Sequence, residues 1–420
     1  VVWLTDLVYR YLVLPLVWIA ARIASLFNAK MQRRFSEGKT SRRIAQRPDS
    51  TVLSYEYAAP KTNTPRILFH ASSMGEFEQL LPVIQLLRNN VSNLTVIASF
   101  FSPSGYAHGI KLPDVDICTY LPFDTKRSVR TYLDTYLPDV IVIDRYDVWR
   151  TFILEATARK IPVLLINATF PSGARGLLRY WFADIYRRLT FISAVTLADA
   201  RKLSELTRRA VTVLPDTRVD RVIEKCTAPE ASIEALRRPD ILTIVLGSCW
   251  SPEETLAFDV LTTPSVRLII VPHEPTPKVI AAIQARIPST LLSRCNADTH
   301  GHILVDSVGR LLSLYAIADA AIVGGGFGAG VHSVTEPAVY GMPIATGPYI
   351  QRSADALRLF DLGLLHVVRS AADLLTWYQT SVASTVRRQT IAVATRSAMI
   401  EHAGSSQTHA DRIKSYLPNA

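Results

Sequence analysis

A carboxylate that follows an apolar run and opens an amphipathic stretch stands where a general base belongs. In "RILFHASSMGEFEQLLPVI" that carboxylate is Glu76. "RILFH" has the composition of a buried strand, and two serines and a glycine then turn the chain. Phe77, Leu80, Leu81, Ile84 and Leu87 follow as the apolar stripe of a helix, with Pro82 expected to kink it. A plainer role competes. Ser73 as N-cap with Glu76 three positions on makes a capping box, which needs no catalysis. Both roles stay open at this point.

The stretch "VGGGFGAGVHSVTEPAVYGMP" carries the second candidate chemistry. Gly324, Gly325, Gly326, Gly328 and Gly330 leave the backbone without Cβ atoms. Bare N–H groups and a helix start then suit an anion such as phosphate. No GK[ST] follows, so the loop is not of the Walker A type, and a turn forced by packing is the alternative. Ser333 and Glu336 also have capping-box spacing. Pro337 would then fall at N4, where the first intrahelical N–H is needed. A helix starting nearer Pro337 leaves Glu336 to accept hydrogen bonds from the vicinal hydroxyls of a ribose. Two more loops follow strand-like runs: "LGSCWSPEE", with Gly247 and Ser248 as phosphate-loop candidates, and "VPHEPTP". The nine histidines form no HExxH, and no GxSxG elbow exists, so neither a zinc site nor a serine hydrolase is expected.

These loops need elements to hold them. "RILFHA", "LTVIASFF", "DICTYLPF", "PDVIVIDRY", "IPVLLINATF" and "FISAVTLA" are Val/Ile/Leu-rich runs separated by helical stretches, the pattern of a parallel sheet covered on both faces. The charged stretch "VLPDTRVDRVIEKCTAPEASIEALRRPD" breaks the rhythm and has the composition of a domain linker. A second series follows: "ILTIVLGS", "VRLIIVPHE", "HILVDS", "DAAIVGGG", "MPIATGP" and "LLHVVRS". The expected fold class is α/β, with two doubly wound Rossmann-like domains facing a central cleft. Open α/β sheets bind ligands at the carboxyl ends of their strands. The expected boundaries are 1–47 for an anchor and basic linker, 48–225 for the first domain and 226–420 for the second. The last helix is a candidate to cross back.

The chain has 420 residues, 46 Lys plus Arg and 36 Asp plus Glu, a formal net charge of +10. That balance suits a polyanionic partner: nucleic acid, anionic lipid or a phosphorylated substrate. The basic residues are not interleaved with aromatics in a nucleic-acid module, so no nucleic acid is expected. Cys118, Cys226, Cys249 and Cys295 form no CxxC pair, which fits a reducing compartment. The first segment, "VVWLTDLVYRYLVLPLVWIAARIASLF", is interrupted by Asp6, Arg10 and Arg22 and has too short an uncharged core for a clean span. Lys30, Arg33, Arg34, Lys39, Arg42, Arg43 and Arg47 follow, opposed by Glu37. The pair of features predicts a shallow membrane anchor with the basic cluster on anionic headgroups of the cytoplasmic face. A buried helix with a solvated linker is the alternative.

Taken in order, "HASSMGEFEQLLPVI", "YLPFDTKRSVRTYLDTYLPDVIVIDRYDVW", "IPVLLINA", "LGSCWSPEE" and "GGGFGAGVHSVTEPAVYGMPIATGP" make the sequence resemble the Kdo transferases. These are the membrane-associated 3-deoxy-D-manno-octulosonic acid transferases of lipopolysaccharide synthesis. The resemblance implies a GT-B glycosyltransferase of the inner membrane. It implies CMP-Kdo as donor, a lipid A precursor as acceptor, inversion at the anomeric carbon, and no cofactor or metal. It places the family's general base on Glu76. CMP contacts fall on Pro272 and His273, on Gly309 and Arg310, and on Ser333, Val334, Thr335 and Glu336, with Gly325 and Gly326 at the phosphate loop. The chain departs from the family's Pro-Arg-His at Pro272-His273-Glu274 and from Asn-Pro-Leu-Glu at Ser333-Val334-Thr335-Glu336. The family's Glu-Thr-Glu-Leu-Trp stretch corresponds to Asp144-Arg145-Tyr146-Asp147-Val148-Trp149. Other readings of the same features are a different nucleotide-sugar transferase or epimerase, or a non-catalytic, membrane-tethered nucleotide-binding protein.

Overall fold

A computed structural model describes residues 2–27, 32–33, 43–44, 64–171, 173–174, 176, 178–227 and 230–418. Most of the basic cluster after the first helix lies outside them. The chain divides into two compact units, 1–221 with 404–420, and 222–403.

The first unit holds β1 (Arg43–Ile44), β2 (Arg66–Ala71), β3 (Thr95–Phe100), β4 (Ile117–Tyr120), β5 (Val140–Asp144), β6 (Val163–Ala168), β7 (Phe191–Ala194) and β8 (Thr212–Val213). Their order in the sheet is β1-β4-β3-β2-β5-β6-β7-β8, parallel except for β1. Ile67, Phe69 and Ala71 join one core cluster while Leu68 joins the other. Apolar residues on both pleat faces are what helices on both sides of a sheet require. The order reverses between β2 and β5, which makes their carboxyl ends the switch point where ligands bind in open α/β sheets.

The second unit repeats the plan with β9 (Leu242–Cys249), β10 (Val266–Pro272), β11 (Ser289–Leu291), β12 (His302–Leu304), β13 (Ala320–Val323), β14 (Ile344–Thr346) and β15 (Leu365–Val367). The order is β11-β12-β10-β9-β13-β14-β15, all parallel. Its switch point lies between β9 and β13. Ile244 and Leu246 pack on one face and Val245 on the other.

The stretch with linker composition is not a loose connection. Thr217–Cys226 and Ala231–Glu234 are helical, and Asp216 and Thr217 are buried. Its charges are spent on specific partners. Arg221 donates to Glu78 at 2.9 Å, and Asp220 accepts from the backbone of Gly404 at 2.6 Å and Ser406 at 2.8 Å. Asp220 thereby caps the helix Ser405–Lys414, whose Ala410 and Ile413 enter the first unit's core.

The N-terminal segment is helical over Val2–Phe27, with a π-helical turn at Tyr9–Val13. Of the residues that interrupt its apolar run, Asp6 docks the segment on the protein, with Tyr9 beside it. Arg150 donates to Asp6 at 2.9 Å, Asp6 pairs with Arg10 at 3.0 Å, and Tyr9 donates to buried Asp124 at 2.7 Å. Trp3, Leu4, Tyr11, Leu12, Leu16, Trp18, Ile19, Ile23 and Leu26 are exposed. Among the described residues no helix is long and apolar enough to cross a membrane.

Candidate functional site

At the first unit's switch point, β2 ends and the chain turns through Ser72 and Ser73 into the helix Met74–Asn90. His70, the penultimate residue of β2, fixes this turn. Its Nε2 lies 2.9 Å from Asp147, and the same carboxylate accepts from the Ser72 hydroxyl. The His70 Nδ1 lies 3.1 Å from the Ser99 carbonyl oxygen and 3.2 Å from the Ser99 hydroxyl. Burial works against the charge on Asp147, but His70 and Ser72 outweigh it and hold the carboxyl below its ordinary range.

Glu76 plays the capping role in full. Its backbone N–H donates to the Ser73 hydroxyl at 3.4 Å, and its Oε2 accepts from the Ser73 N–H at 3.1 Å. Only one carboxylate oxygen is used this way. Oε1 accepts from the Tyr146 hydroxyl at 3.2 Å, and the residue is partly exposed. Capping and proton abstraction are therefore not exclusive. The cap fixes the carboxylate's orientation at a helix start. The helix runs on through Pro82 to Asn90.

Beyond β5 the backbone turns left-handed at Arg145, with φ 63°. A non-glycine residue held there costs energy that the surroundings must over-determine. They do: the guanidinium donates to Gln79 Oε1 and to Asp216 Oδ2, each at 2.6 Å. Asp144 lies behind it, its Oδ2 3.9 Å from Arg145 Nε and without a hydrogen-bond partner. Asn167, itself at φ 52°, donates to Asp144 Oδ1 and to the Thr217 hydroxyl, each at 2.8 Å. The two aspartates respond differently to the one cation. Burial pushes Asp144 up to about 7, because Arg145 is too far to offset it. Burial also opposes the charge on Asp216, but Arg145 in direct contact, helped by Arg218, holds that carboxyl below its ordinary value. The result is a buried, charge-compensated floor beneath Glu76 and Tyr146.

In the second unit the loops after β9, β10 and β13 converge on its switch point. Gly324 donates to the Gly247 carbonyl at 2.9 Å. A Cβ on Gly324 would collide with the Ser248 carbonyl, one on Gly326 would lie 2.5 Å from the Gly347 nitrogen, and one on Gly247 would meet the Tyr315 hydroxyl. Packing thus demands glycine here, and the loop folds on itself: the Gly328 and Gly330 N–H groups donate to the Gly325 carbonyl at 3.0 and 3.2 Å, and the His332 N–H to the Gly324 carbonyl at 3.0 Å. Pro272 ends β10, and the His273 N–H donates to the Cys249 carbonyl at 3.0 Å. The helix after the glycine loop begins at Thr335, so Pro337 stands in its first turn and Ser333 does not cap it. Thr335 donates to Asp355 at 2.6 Å. Glu336 raises the pKa of buried Tyr315, after burial itself. Gly309, at φ 83°, leads into Arg310, which is ion-paired with Glu230.

Gly247 and Ser248 lie within β9 rather than in a phosphate loop, and Pro272 is the last residue of β10; with His273 they meet Gly325, Gly326 and the segment Ser333–Glu336 at one switch point. The structure also gives a place to residues that the sequence left without a role. These are Arg145, Asp216, Gln79, Tyr146 and Asn167 around Glu76, and Trp250 and His332 beside the glycine loop. Among the described residues no cluster of histidine, cysteine, aspartate or glutamate has the geometry to hold a metal ion.

The family model described as 3-deoxy-D-manno-octulosonic-acid transferase (kdotransferase) matches residues 31–221. The chain is similar to the 3-deoxy-D-manno-octulosonic acid transferase of Bordetella pertussis, 25% identical over 391 residues, covering 86% of this chain and 89% of that one. It is 26% identical over 318 residues to the Aquifex aeolicus transferase of the same name, covering 73% and 83%. In fold it resembles a Rickettsia africae glycosyltransferase at TM-score 0.58, with 14% identity and coverage of 86% of this chain and all of that one. It also resembles the Neisseria meningitidis UDP-GlcNAc 2-epimerase bound to UDP-GlcNAc at TM-score 0.56, with 15% identity and coverage of 80% and 98%. The fold shared with such proteins is GT-B.

Proposed function

Since this chain belongs to the family of 3-deoxy-D-manno-octulosonic acid (Kdo) transferases, we propose that it moves Kdo from CMP-Kdo to a lipid A precursor, with inversion, in lipopolysaccharide core synthesis. It is a glycosyltransferase. The observation that carries the reading is the divided use of Glu76. One carboxylate oxygen is fixed by the helix cap, and the other faces Tyr146 at the switch point.

A sugar hydroxyl is a poor nucleophile until a base takes its proton. Glu76 Oε1 accepts that proton as the acceptor oxygen bonds to the anomeric carbon of Kdo. The bond from that carbon to the donor phosphate breaks, and its electron pair leaves with CMP. Backbone N–H groups of the glycine loop stabilise the departing charge, so the step needs no cofactor. Glu336 accepts hydrogen bonds from the donor's ribose hydroxyls, with Pro272, Gly309 and Ser333 to Thr335 lining the same nucleotide. Glu336→Ala is expected to weaken CMP binding by about 1–3 kcal/mol, the range for a hydrogen bond to a charged group. Titration calorimetry on protein of unchanged melting temperature checks it. A lower melting temperature at constant affinity would assign Glu336 to structure alone.

The acceptor is an anionic lipid, and the outward apolar face of the N-terminal helix suits a membrane surface. With Asp6 and Tyr9 turned to the protein, the helix presents tryptophans and leucines to the interface and lies on the cytoplasmic face of the inner membrane. Replacing Leu12, Leu16, Trp18 and Ile19 by serine, with Asp6 and Tyr9 kept, is expected to release the protein from anionic vesicles in a flotation assay. CMP affinity should not change. Vesicle binding that survives the replacements would place the anchor elsewhere.

A further inference from the structure

We propose that Tyr146 is a positioning residue for the transfer: its hydroxyl fixes the Glu76 oxygen that takes the acceptor's proton. The inference rests on the reading of Glu76 as general base. The helix cap holds Oε2 through the Ser73 N–H at 3.1 Å, and Tyr146 holds Oε1 at 3.2 Å. The last torsion of a glutamate side chain is broad and sets no sharp direction of its own. One hydrogen bond leaves the carboxylate free to turn about the held oxygen. A second bond, from a different element, fixes its plane and so the direction in which the reacting lone pair points.

The chain is built to keep the phenol in that place. Tyr146 stands between two residues that tie back to the turn and helix carrying Glu76. On one side the Arg145 guanidinium donates to Gln79, one turn further along that helix, at 2.6 Å. On the other, Asp147 accepts from the hydroxyl of Ser72, in the turn before the helix, and lies 2.9 Å from His70 Nε2 in β2. The Tyr146 backbone is held as well. Its N–H donates to the Asp144 carbonyl at 3.0 Å, and its carbonyl accepts from the Val148 N–H at 2.8 Å. Tyr146 is 51% exposed, so packing of the ring does not account for these ties.

The hydroxyl suits this task and not that of the base. Partial burial and then the Glu76 carboxylate raise the Tyr146 pKa, so the phenol keeps its proton and acts as a donor. A carboxylate oxygen offers two acceptor sites, and the phenol fills one of them. The other site on Oε1 is left for the acceptor hydroxyl.

The test compares Tyr146→Phe with wild type, both full-length in detergent, in transfer of labelled Kdo from CMP-Kdo to a lipid A precursor. Phenylalanine keeps the ring and deletes the hydroxyl. The expected result is a kcat lower by about ten- to a hundredfold, the scale of a misplaced reacting group. KM for donor and acceptor, and the melting temperature, should not change. The same substitution is then made in Glu76→Gln, with incubations lengthened to suit its slower turnover. Residues that act through one another are not additive, so the double variant should transfer at the rate of Glu76→Gln alone. An unchanged kcat in Tyr146→Phe, with or without a lower melting temperature, would overturn the proposal. So would an equal fold-loss in both backgrounds, which would mean that Tyr146 acts independently of Glu76. Both outcomes leave the Kdo transferase reading intact. Folded wild type that transfers no Kdo would defeat that reading itself, and Glu76→Gln that transfers at the wild-type rate would remove the base on which the proposal rests.

Discussion

Glu76→Gln is expected to lower the rate of sugar transfer by about 10²–10⁴-fold, the usual contribution of a general base. CMP affinity and melting temperature should stay close to wild type. Glutamine keeps the side-chain length and an acceptor oxygen for the Ser73 N–H, so the capping box survives in large part. What it removes is the lone-pair basicity at the oxygen that faces Tyr146. The variant separates the two roles that coincide on this residue. A protein that melts early yet transfers sugar at nearly the normal rate would make Glu76 a cap and nothing more.

Arg145→Met is the second large effect, on stability. Methionine retains the apolar stem and deletes the cation that compensates Asp216 and, at longer range, Asp144. Breaking a buried pair by removing one partner leaves an uncompensated charge and costs about 3–5 kcal/mol. The loss should depend on pH. In wild type the folded Asp216 has a lowered pKa, so its stabilising contribution is present above the unfolded value and is lost as pH falls through the folded one. Without Arg145 the same carboxyl, still buried, titrates upward. The variant then loses stability as pH rises, and the gap from wild type widens from acid to neutral. Urea denaturation at pH 5 and pH 7.5 measures both curves. Adding Asp216→Leu should recover much of the loss, because neither buried charge then remains. A gap that is constant with pH, or no recovery in the double variant, would show that the pair is not what holds this floor together.

The strands were legible because sheets covered on both faces leave continuous Val/Ile/Leu runs, and "RILFHA", "PDVIVID" and "LTIVLGS" are such runs. Glu76 was legible as a carboxylate just past a strand. The glycine loop was legible because backbone close to backbone admits only glycine, as Gly324 and Gly326 illustrate. The floor of the site was not legible. Arg145 and Asp216 are 71 positions apart, and nothing local to either residue names the other. The segment carrying Asp216, Thr217, Asp220 and Arg221 has the polarity of a linker, yet its polar groups are consumed in pairs inside the first unit. Charge density alone does not distinguish a solvated stretch from one whose charges are matched. The same holds for the N-terminal helix, where Asp6 breaks the hydropathy of a membrane segment but accepts from Arg150. The Trp250–His332 bond spans 82 positions and was equally out of reach.

The most direct test of the account is transfer of labelled Kdo from CMP-Kdo to a lipid A precursor in detergent-solubilised membrane extract, with release of CMP followed in the same reaction. The account predicts labelled lipid and CMP in equal amounts from wild type without added metal, and neither above background from Glu76→Gln over the same time. CMP released without labelled lipid, or labelled lipid formed equally well by Glu76→Gln, would contradict it.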